Sequence, residues 1–141
     1  MILEILAAGI ISVAFGFIFN IRGKNLIFTG LNGALGLGIF SLSLHLGTAS
    51  YVAMFFATMV MAISAEIAAR LRKAPASVFL VAALTPIVPG SGIFHFVLYL
   101  LQGAREAATA TGVLTVMETA GIAIGVIIVT SFIKMIPRRK Y

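Results

Sequence analysis

The segment TPIVPGSG, Thr85–Gly92, lies inside a long apolar run of a 141-residue chain that is 61% hydrophobic and only 10% charged. Soluble domains carry about a quarter charged residues, whereas apolar runs of about 20 residues, long enough to cross a bilayer, recur along this whole chain. The sequence therefore predicts an all-α integral membrane protein. Two prolines and two glycines in one short segment are expected to interrupt one of its membrane helices.

Turn residues and basic clusters divide the chain into five predicted membrane spans within a single transmembrane domain over residues 1–141. The predicted ranges are 2–19, 26–46, 49–71, 76–102 and 112–136, with the fourth discontinuous at 85–92. The centre of the fourth range is residue 89, so the break is predicted near the middle of the membrane. A re-entrant hairpin at this segment is the alternative, but it would translocate the basic C-terminus.

The ten basic residues indicate the orientation of the chain. Five crossings leave only Arg105 on one side and place nine residues on the other. Because basic residues concentrate in cytoplasmic loops, we expect the N-terminus outside and the C-terminus in the cytoplasm. The net charge of +6 then reflects topology, and no nucleic-acid partner is expected. The nine residues are Arg22, Lys24, Arg70, Arg72, Lys73, Lys134, Arg138, Arg139 and Lys140.

The predicted break has chemistry suited to a small solute. Irregular backbone at membrane depth is tolerated only when it is buried in protein or lines a cavity, and broken helices hold substrate in many secondary transporters. The N-terminus of the second half-helix offers free N–H groups to a carboxylate, and Ser91 is expected either to cap that helix or to bind a ligand. A packing or gating kink without a ligand is the alternative. The candidate substrate-binding residues are Thr85, Pro86, Pro89, Gly90, Ser91, Gly92 and His95.

Two ionisable side chains are candidates for proton coupling or gating. Glu118 lies in the fifth predicted span, about six residues outward of its centre, where a carboxylate is costly and usually functional. It could carry a coupling proton or oppose a substrate ammonium, or belong to a structural pair near the outer interface. His95 follows Ser91 by four residues on one helix face and could shuttle protons or serve as a hydrogen-bonded packing residue.

Other polar residues suggest structural roles. Glu66 precedes Arg70 by four residues, the favourable spacing for a helical ion pair, here at the cytoplasmic end of a span. Asn20 and Asn32 are expected to hydrogen-bond between helices. The chain has no cysteine and no HxxxH or paired-acid pattern, so neither a metal site nor a cofactor is predicted.

Small residues repeat at every fourth position in most of the predicted spans. Such stripes let helix backbones approach closely in lipid, where no hydrophobic effect drives association. They predict helix–helix interfaces on several sides of the bundle. The stripes are Ala8, Ser12 and Gly16; Gly30, Ala34 and Gly38; Ala53 and Ala57; and Gly121 and Gly125.

Three stretches of the chain resemble one family of transporters. They are FGFIFNIRGKNL (Phe15–Leu26), GLNGALG (Gly30–Gly36) and, most specifically, AEIAARLRKAPASVFLVAALTPIVPGSG (Ala65–Gly92), in which acid, basic turn and Pro-Gly break occur in order. The sequence is similar to the C-terminal membrane domain of the threonine/serine exporter family, which also occurs as a separate small protein. The resemblance covers nearly the whole chain.

This resemblance implies a two-component secondary exporter in the cytoplasmic (inner) membrane of a prokaryote. The larger partner subunit would bring its own bundle with a related break in inverted orientation, a known transporter plan. A homo-oligomer is also compatible. Fused members of the family export threonine and serine, and split members are associated with succinate, so the expected solute is a small carboxylate.

Other functions fit the sequence less well. A non-transporting accessory or assembly subunit is the main alternative, because the break could shape a partner's pathway only. A membrane enzyme is not expected: Gly90-Ser91-Gly92 is similar to a serine-hydrolase turn, but Pro89 stands where the leading glycine of that motif belongs. A channel would require an acidic ring or a repeated filter signature, which the sequence lacks.

Overall fold

The computed structural model describes residues 2–135, and this part of the chain is all-helical, as predicted. Met1 and residues 136–141 lie outside the described residues. With them lie the predicted end of the fifth span at Ile136 and the basic residues Arg138, Arg139 and Lys140. The elements are α1 (Ile2–Ile18), α2 (Lys24–His45), α3 (Ser50–Arg72), α4 (Ala76–Leu84), a 3-10 turn (Thr85–Ile87), α5 (Gly90–Leu101) and α6 (Arg105–Met135).

Three described helices, α2, α3 and α6, are long and apolar enough to cross a membrane. A fourth candidate is the bent span that α4, the 3-10 turn and α5 form together. Helix α1 is shorter, with 17 residues. The fold is thus that of an all-α membrane protein with one discontinuous helix. In this respect the sequence-based prediction is confirmed.

The last helix differs from its predicted extent. α6 begins at Arg105 rather than near residue 112, so most of the predicted loop 103–111 is helical. Arginine, glutamate and alanine, which favour helices, dominate its first turn, and Ala108 is buried within the bundle. Only the turn around Gly103 (φ 73°) separates α5 from α6.

Helices α1 and α2 form a close antiparallel pair through small residues. A β-carbon placed on Gly9 would lie 3.3 Å from the carbonyl oxygen of Gly30, and the side chain of Leu26 lies directly over Gly16. The predicted stripe Ala8, Ser12 and Gly16 comprises all the buried residues of α1. The buried face of α2 is only partly the predicted one: it includes Gly30, but Ala34 and Gly38 are part-buried.

Helix α4 lies at the centre of the bundle, where it packs against α1, α2 and α3. Phe79 is fully buried there and meets the ring of Phe28 edge-on, with 6.3 Å between ring centroids. The buried Asn32 of α2 donates from Nδ2 to the carbonyl oxygen of Phe79 (3.2 Å), and Ser64 of α3 donates to Asn32 Oδ1. One amide side chain therefore joins three helices, which confirms the interhelical role predicted for Asn32.

Asn20 also has a structural role, but within the α1–α2 turn and not between helices. Its backbone adopts a left-handed conformation (φ 58°) directly after α1, which asparagine tolerates better than most residues. Its side-chain oxygen accepts a hydrogen bond from Arg22 Nε (2.9 Å) in the same exposed loop. Asn20 thus shapes the α1–α2 turn and does not link helices.

The register of the contacts gives the direction of each helix. Gly121 of α6 lies against Tyr51 of α3, and Gly125 lies against Phe55, so α3 and α6 run parallel. Phe28 and Gly36 of α2 meet Phe79 and Ile87 respectively, so α2 and α4 also run parallel. α5 runs antiparallel to α6, as its contacts with Gly112 and Thr115 show. Consequently α1, α3 and α6 share one direction, and α2, α4 and α5 share the opposite one.

Two glycines of α2 provide a test of this packing. A β-carbon on Gly33 would lie 2.7 Å from Ser12 Cβ and 3.3 Å from the carbonyl oxygen of Ala8, whereas one on Gly38 meets only Ile5 Cδ1 at 3.7 Å. We expect Gly33→Ala to destabilise the protein by about 1–3 kcal/mol through overpacking. Thermal unfolding in detergent, followed by circular dichroism at 222 nm, measures this change.

Gly38→Ala is the matched control in the same helix. It should leave the melting temperature unchanged or raise it, because alanine favours helices more than glycine does. Equal melting temperatures for the two variants would contradict the close α1–α2 contact.

Candidate functional site

The break is a short 3-10 turn followed by two non-helical residues. Val88 donates its N–H to the carbonyl oxygen of Leu84 (3.2 Å), and Gly90 donates to the carbonyl oxygen of Val88 (2.7 Å). Pro86 and Pro89 have no N–H to continue the ladder, and Val88 takes an extended ψ of 131° before Pro89. The chain bends by 45° between α4 and α5. The discontinuity predicted at 85–92 is therefore present.

The inner side of the break is anchored in the bundle. Ile87 is buried, and a β-carbon added to Gly36 would lie only 2.8 Å from its Cδ1. Pro89 is also buried, and Thr85 and Pro86 are part-buried. The 3-10 turn packs against α1 and α2. The first half of the broken helix is thus held by its neighbours up to the break.

The second half begins with free backbone donors. The helix α5 starts at Gly90 with Pro89 as its N-cap, and no side chain of the described residues caps it. Within the described chain, the amides of Ser91 and Gly92 donate no hydrogen bond. Of the two roles left open for Ser91, capping is excluded, because the residue lies in the first turn, two positions after the N-cap Pro89. Its side chain is exposed.

His95 lies one turn after Ser91, as the spacing predicts, and contacts that residue's backbone. Its Nδ1 lies 2.7 Å from the carbonyl oxygen of Ser91. Since a carbonyl oxygen only accepts, Nδ1 carries the proton, and in the neutral ring Nε2 is an acceptor. The ring also lies near those of Phe94 and Tyr99, with centroids 5.4 and 6.1 Å away. His95 is exposed, so its Nε2 can reach a ligand.

Glu118 of α6 and the break lie at nearly the same position along the axis of the helical bundle. Its neighbour Thr115, three residues earlier, lies directly against Gly92, so that a β-carbon on this glycine would be 3.3 Å from Thr115 Cβ. Three residues correspond to about 4.5 Å along a helix, and α5 and α6 are antiparallel. Glu118 is therefore level with the residues just before Gly92.

Glu118 lies in the middle part of the long helix α6, which the structure describes from Arg105 to Met135. Its side chain is part-buried and forms no ion pair or hydrogen bond with any described residue. An acid at this position can interact with a solute held at the break.

The predicted Glu66–Arg70 pair is observed away from the site. Arg70 Nε lies 3.5 Å from Glu66 Oε1, and Glu66 is buried while Arg70 is exposed. Ser64, two residues before Glu66, is at the level of Asn32. The Glu66–Arg70 pair lies further along α3, toward the α1–α2 turn. There, Arg72 Nε donates a hydrogen bond to Asn25 Oδ1 (3.0 Å). It supports α3 at the end of the bundle opposite α5.

Sequence reasoning missed Thr115 as a neighbour of the site. It contacts Gly92 and so fixes where α5 lies on α6. A signal was present in the sequence: Thr111, Thr115 and Thr119 recur at every fourth position on one helix face. Thr115 and Thr119 each donate a hydroxyl hydrogen bond to the carbonyl four residues earlier, at 2.8 Å.

A membrane-embedded helical bundle with a discontinuous helix and an acid beside the break belongs to a class of architecture found in secondary transporters. The sequence profile of a family described as Threonine/Serine exporter, ThrE, matches residues 4–132, nearly the whole chain. The chain belongs to this family and is a multi-pass membrane protein of the exporter type. No curated protein and no solved structure matches it.

The contact between α5 and α6 can be tested at Gly92. An added β-carbon would collide with the side chain of Thr115, whereas at Gly90 it would meet nothing within 4 Å. We expect Gly92→Ala to lower the melting temperature in detergent by several degrees and Gly90→Ala to leave it unchanged. Circular dichroism of the purified variants measures both.

A double variant identifies the cause. Thr115→Ala removes the hydroxyl and methyl groups that collide, so Gly92→Ala combined with Thr115→Ala should be more stable than the two single effects predict together. Strict additivity would show that Gly92 is required for another reason.

Proposed function

We propose that this chain is the small subunit of a two-component secondary exporter that holds a small carboxylate-bearing solute at the broken helix. The observation that carries the proposal is the start of α5, where, among residues 2–135, the amides of Ser91 and Gly92 have no acceptor and no side chain caps the helix. The positive end of a helix dipole together with free N–H groups favours an anion such as a carboxylate. The family membership of the chain supports export as the activity.

Glu118 favours an amino acid over a dicarboxylate as the solute. It lies at the level of the break, so a solute bound there would meet amide donors on one side and a carboxylate nearby. The carboxylate and ammonium groups of threonine or serine complement both features, whereas the second carboxylate of succinate would be repelled by Glu118. Threonine and serine are therefore the first solutes to test, and succinate is the second.

The site is incomplete within this chain. α5 has no buried residue and packs along α6, without extensive contact with α1–α4 in the described structure. We propose that a larger membrane subunit of the same family, in inverted orientation, supplies the opposing half of the pocket. A non-transporting accessory role remains the second candidate, since an open half-site is equally suited to shaping a partner's pathway.

The proposed topology places the N-terminus outside and the C-terminus in the cytoplasm of a prokaryotic inner membrane. The alternating helix directions support this topology. The bend between α4 and α5 is 45°, so the two helices keep the same general direction, whereas a hairpin would reverse the direction of the chain. The basic residues of the α1–α2 and α3–α4 turns then lie together on the cytoplasmic side.

The function is tested by export from cells that lack other threonine and serine exporters. Cells loaded with a threonine- or serine-containing dipeptide should release the amino acid only when this chain and its larger partner are both present. Gly90→Leu should abolish release, because its side chain fills the open space at the start of α5. Ala123→Leu, on an exposed face of α6, should leave release unchanged.

The same experiment separates the two candidate functions. Release by the larger partner alone, at the full rate, would show that this chain is accessory. Normal release by Gly90→Leu would remove the start of α5 from the solute site even if the chain is required.

Proton coupling is tested at Glu118. In vesicles with an imposed pH gradient, Glu118→Gln should transport at a rate that no longer responds to the gradient, because an amide cannot bind or release a proton in this range. Glu106→Gln is the control in the same helix, since Glu106 is exposed in its first turn. Gradient-dependent transport by Glu118→Gln would exclude Glu118 as the coupling group.

A further inference from the structure

One flank of α5 carries polar residues from the first turn of the helix to its C-cap. Ser91, His95 and Gln102 are separated by four and seven residues, which places them on one side of an α-helix, and all three are exposed. We call these three residues the polar flank. The other exposed faces of α5 carry Ile93, Phe94, Val97, Leu100 and Leu101. The helix therefore has one side suited to water and other sides suited to lipid.

The direction of the polar flank follows from the helix register. On α6, Gly121 and Gly125 face α3, while Gly112 and Thr115 face α5, so α3 and α5 lie on adjacent sides of α6. Successive residues of a right-handed helix turn by about 100°, and α5 is antiparallel to α6. The side of α5 nearest α3 is then reached by turning about the helix axis from Gly92 toward the preceding residue, Ser91. This is the side of the polar flank.

Side-chain exposure agrees with this geometry. Leu98, which lies between the members of the polar flank, is part-buried, whereas Ile93 and Leu100 on the opposite side are exposed. The polar flank thus faces the body formed by α2, α3 and α4. Because α5 has no extensive contact with that body within residues 2–135, we take the space between them to be open, and we call it the cleft.

Glu118 faces the same cleft. It lies on α6 between the residues that contact α5 and those that contact α3, and it is less exposed than its neighbour Thr119. The free amides of Ser91 and Gly92 lie at the inner end of the cleft. Ionisable and hydrogen-bonding groups at membrane depth are costly when they face lipid and are found lining polar cavities instead.

We propose that the polar flank lines a water-filled route by which the solute leaves the break toward the end of α5. The inference rests on the proposed export function, because it assigns the path to the same solute. Along the route, the hydroxyl of Ser91, the imidazole of His95 and the amide of Gln102 offer successive hydrogen-bonding partners to a carboxylate or an ammonium group. None of them holds the solute tightly, since each is an exposed single contact, and this suits a path for release.

Cysteine accessibility tests the route directly. The chain contains no cysteine, so Ser91→Cys, His95→Cys and Gln102→Cys each introduce the only thiol of this chain. The matched controls Ile93→Cys, Val97→Cys and Leu100→Cys lie at similar depths on the apolar side. A charged, membrane-impermeant methanethiosulfonate is added to intact cells that carry the full chain and its native neighbours. The unreacted thiol is then counted by a maleimide mass tag after denaturation.

The polar-flank positions should react at least tenfold faster than their controls, because a thiol forms its reactive thiolate in water and not in lipid. The rate should fall from position 102 to position 91, following depth from the outer end. Saturating L-threonine or L-serine should slow the reaction at Ser91→Cys.

Equal rates on the two sides of α5, fast or slow, would overturn the proposal, including the case in which a partner protein covers the polar flank. The result is independent of the export assay. A tenfold contrast in cells that export neither threonine, serine nor succinate would support the route and reject the proposed solutes. Normal export without the contrast would reject the route alone.

Discussion

Two missing amide hydrogens, at Pro86 and Pro89, determine the shape of this molecule. Neither residue can continue the helical ladder begun in α4, so the backbone passes through a 3-10 turn and two non-helical residues before α5 begins. The resulting 45° bend takes α5 away from the neighbours of α4 and onto α6. The same interruption leaves the amides of Ser91 and Gly92 without an acceptor in the part of the chain that the structure describes. Architecture and candidate chemistry thus have one cause.

The bend can serve a function because the first half of the broken helix is firmly held. In lipid, helices associate through close backbone packing and interhelical hydrogen bonds, and α4 has both. Asn32 bonds the carbonyl oxygen of Phe79, and Gly36 leaves space for Ile87 beside α2. By contrast, within residues 2–135, α5 packs extensively only on α6, where Gly92 meets Thr115 and Phe96 meets Gly112. This contrast between an anchored half and an open half supports a site that a second bundle completes.

The charges around the break also fit the proposed solute. Free amides at the start of α5 favour a carboxylate, and Glu118, level with them on α6, favours an ammonium group. Both are found in one amino acid, which agrees with the family to which the chain belongs. The polar flank of α5 begins at the same place and continues to the end of that helix. The proposed binding position and the proposed route are therefore parts of one continuous surface.

The sequence by itself determined the membrane class, the position of the break, the i, i+4 ion pair on α3 and the family, because hydropathy, proline and local spacing act within one segment. It erred at the start of α6, and it did not decide the partner of Asn20 or whether Ser91 caps α5, because local preference is ambiguous at these positions. Only the tertiary structure decided that α5 packs along α6, that Thr115 meets Gly92 and that Glu118 is level with the break. Those relations depend on register between distant segments, which no local pattern specifies.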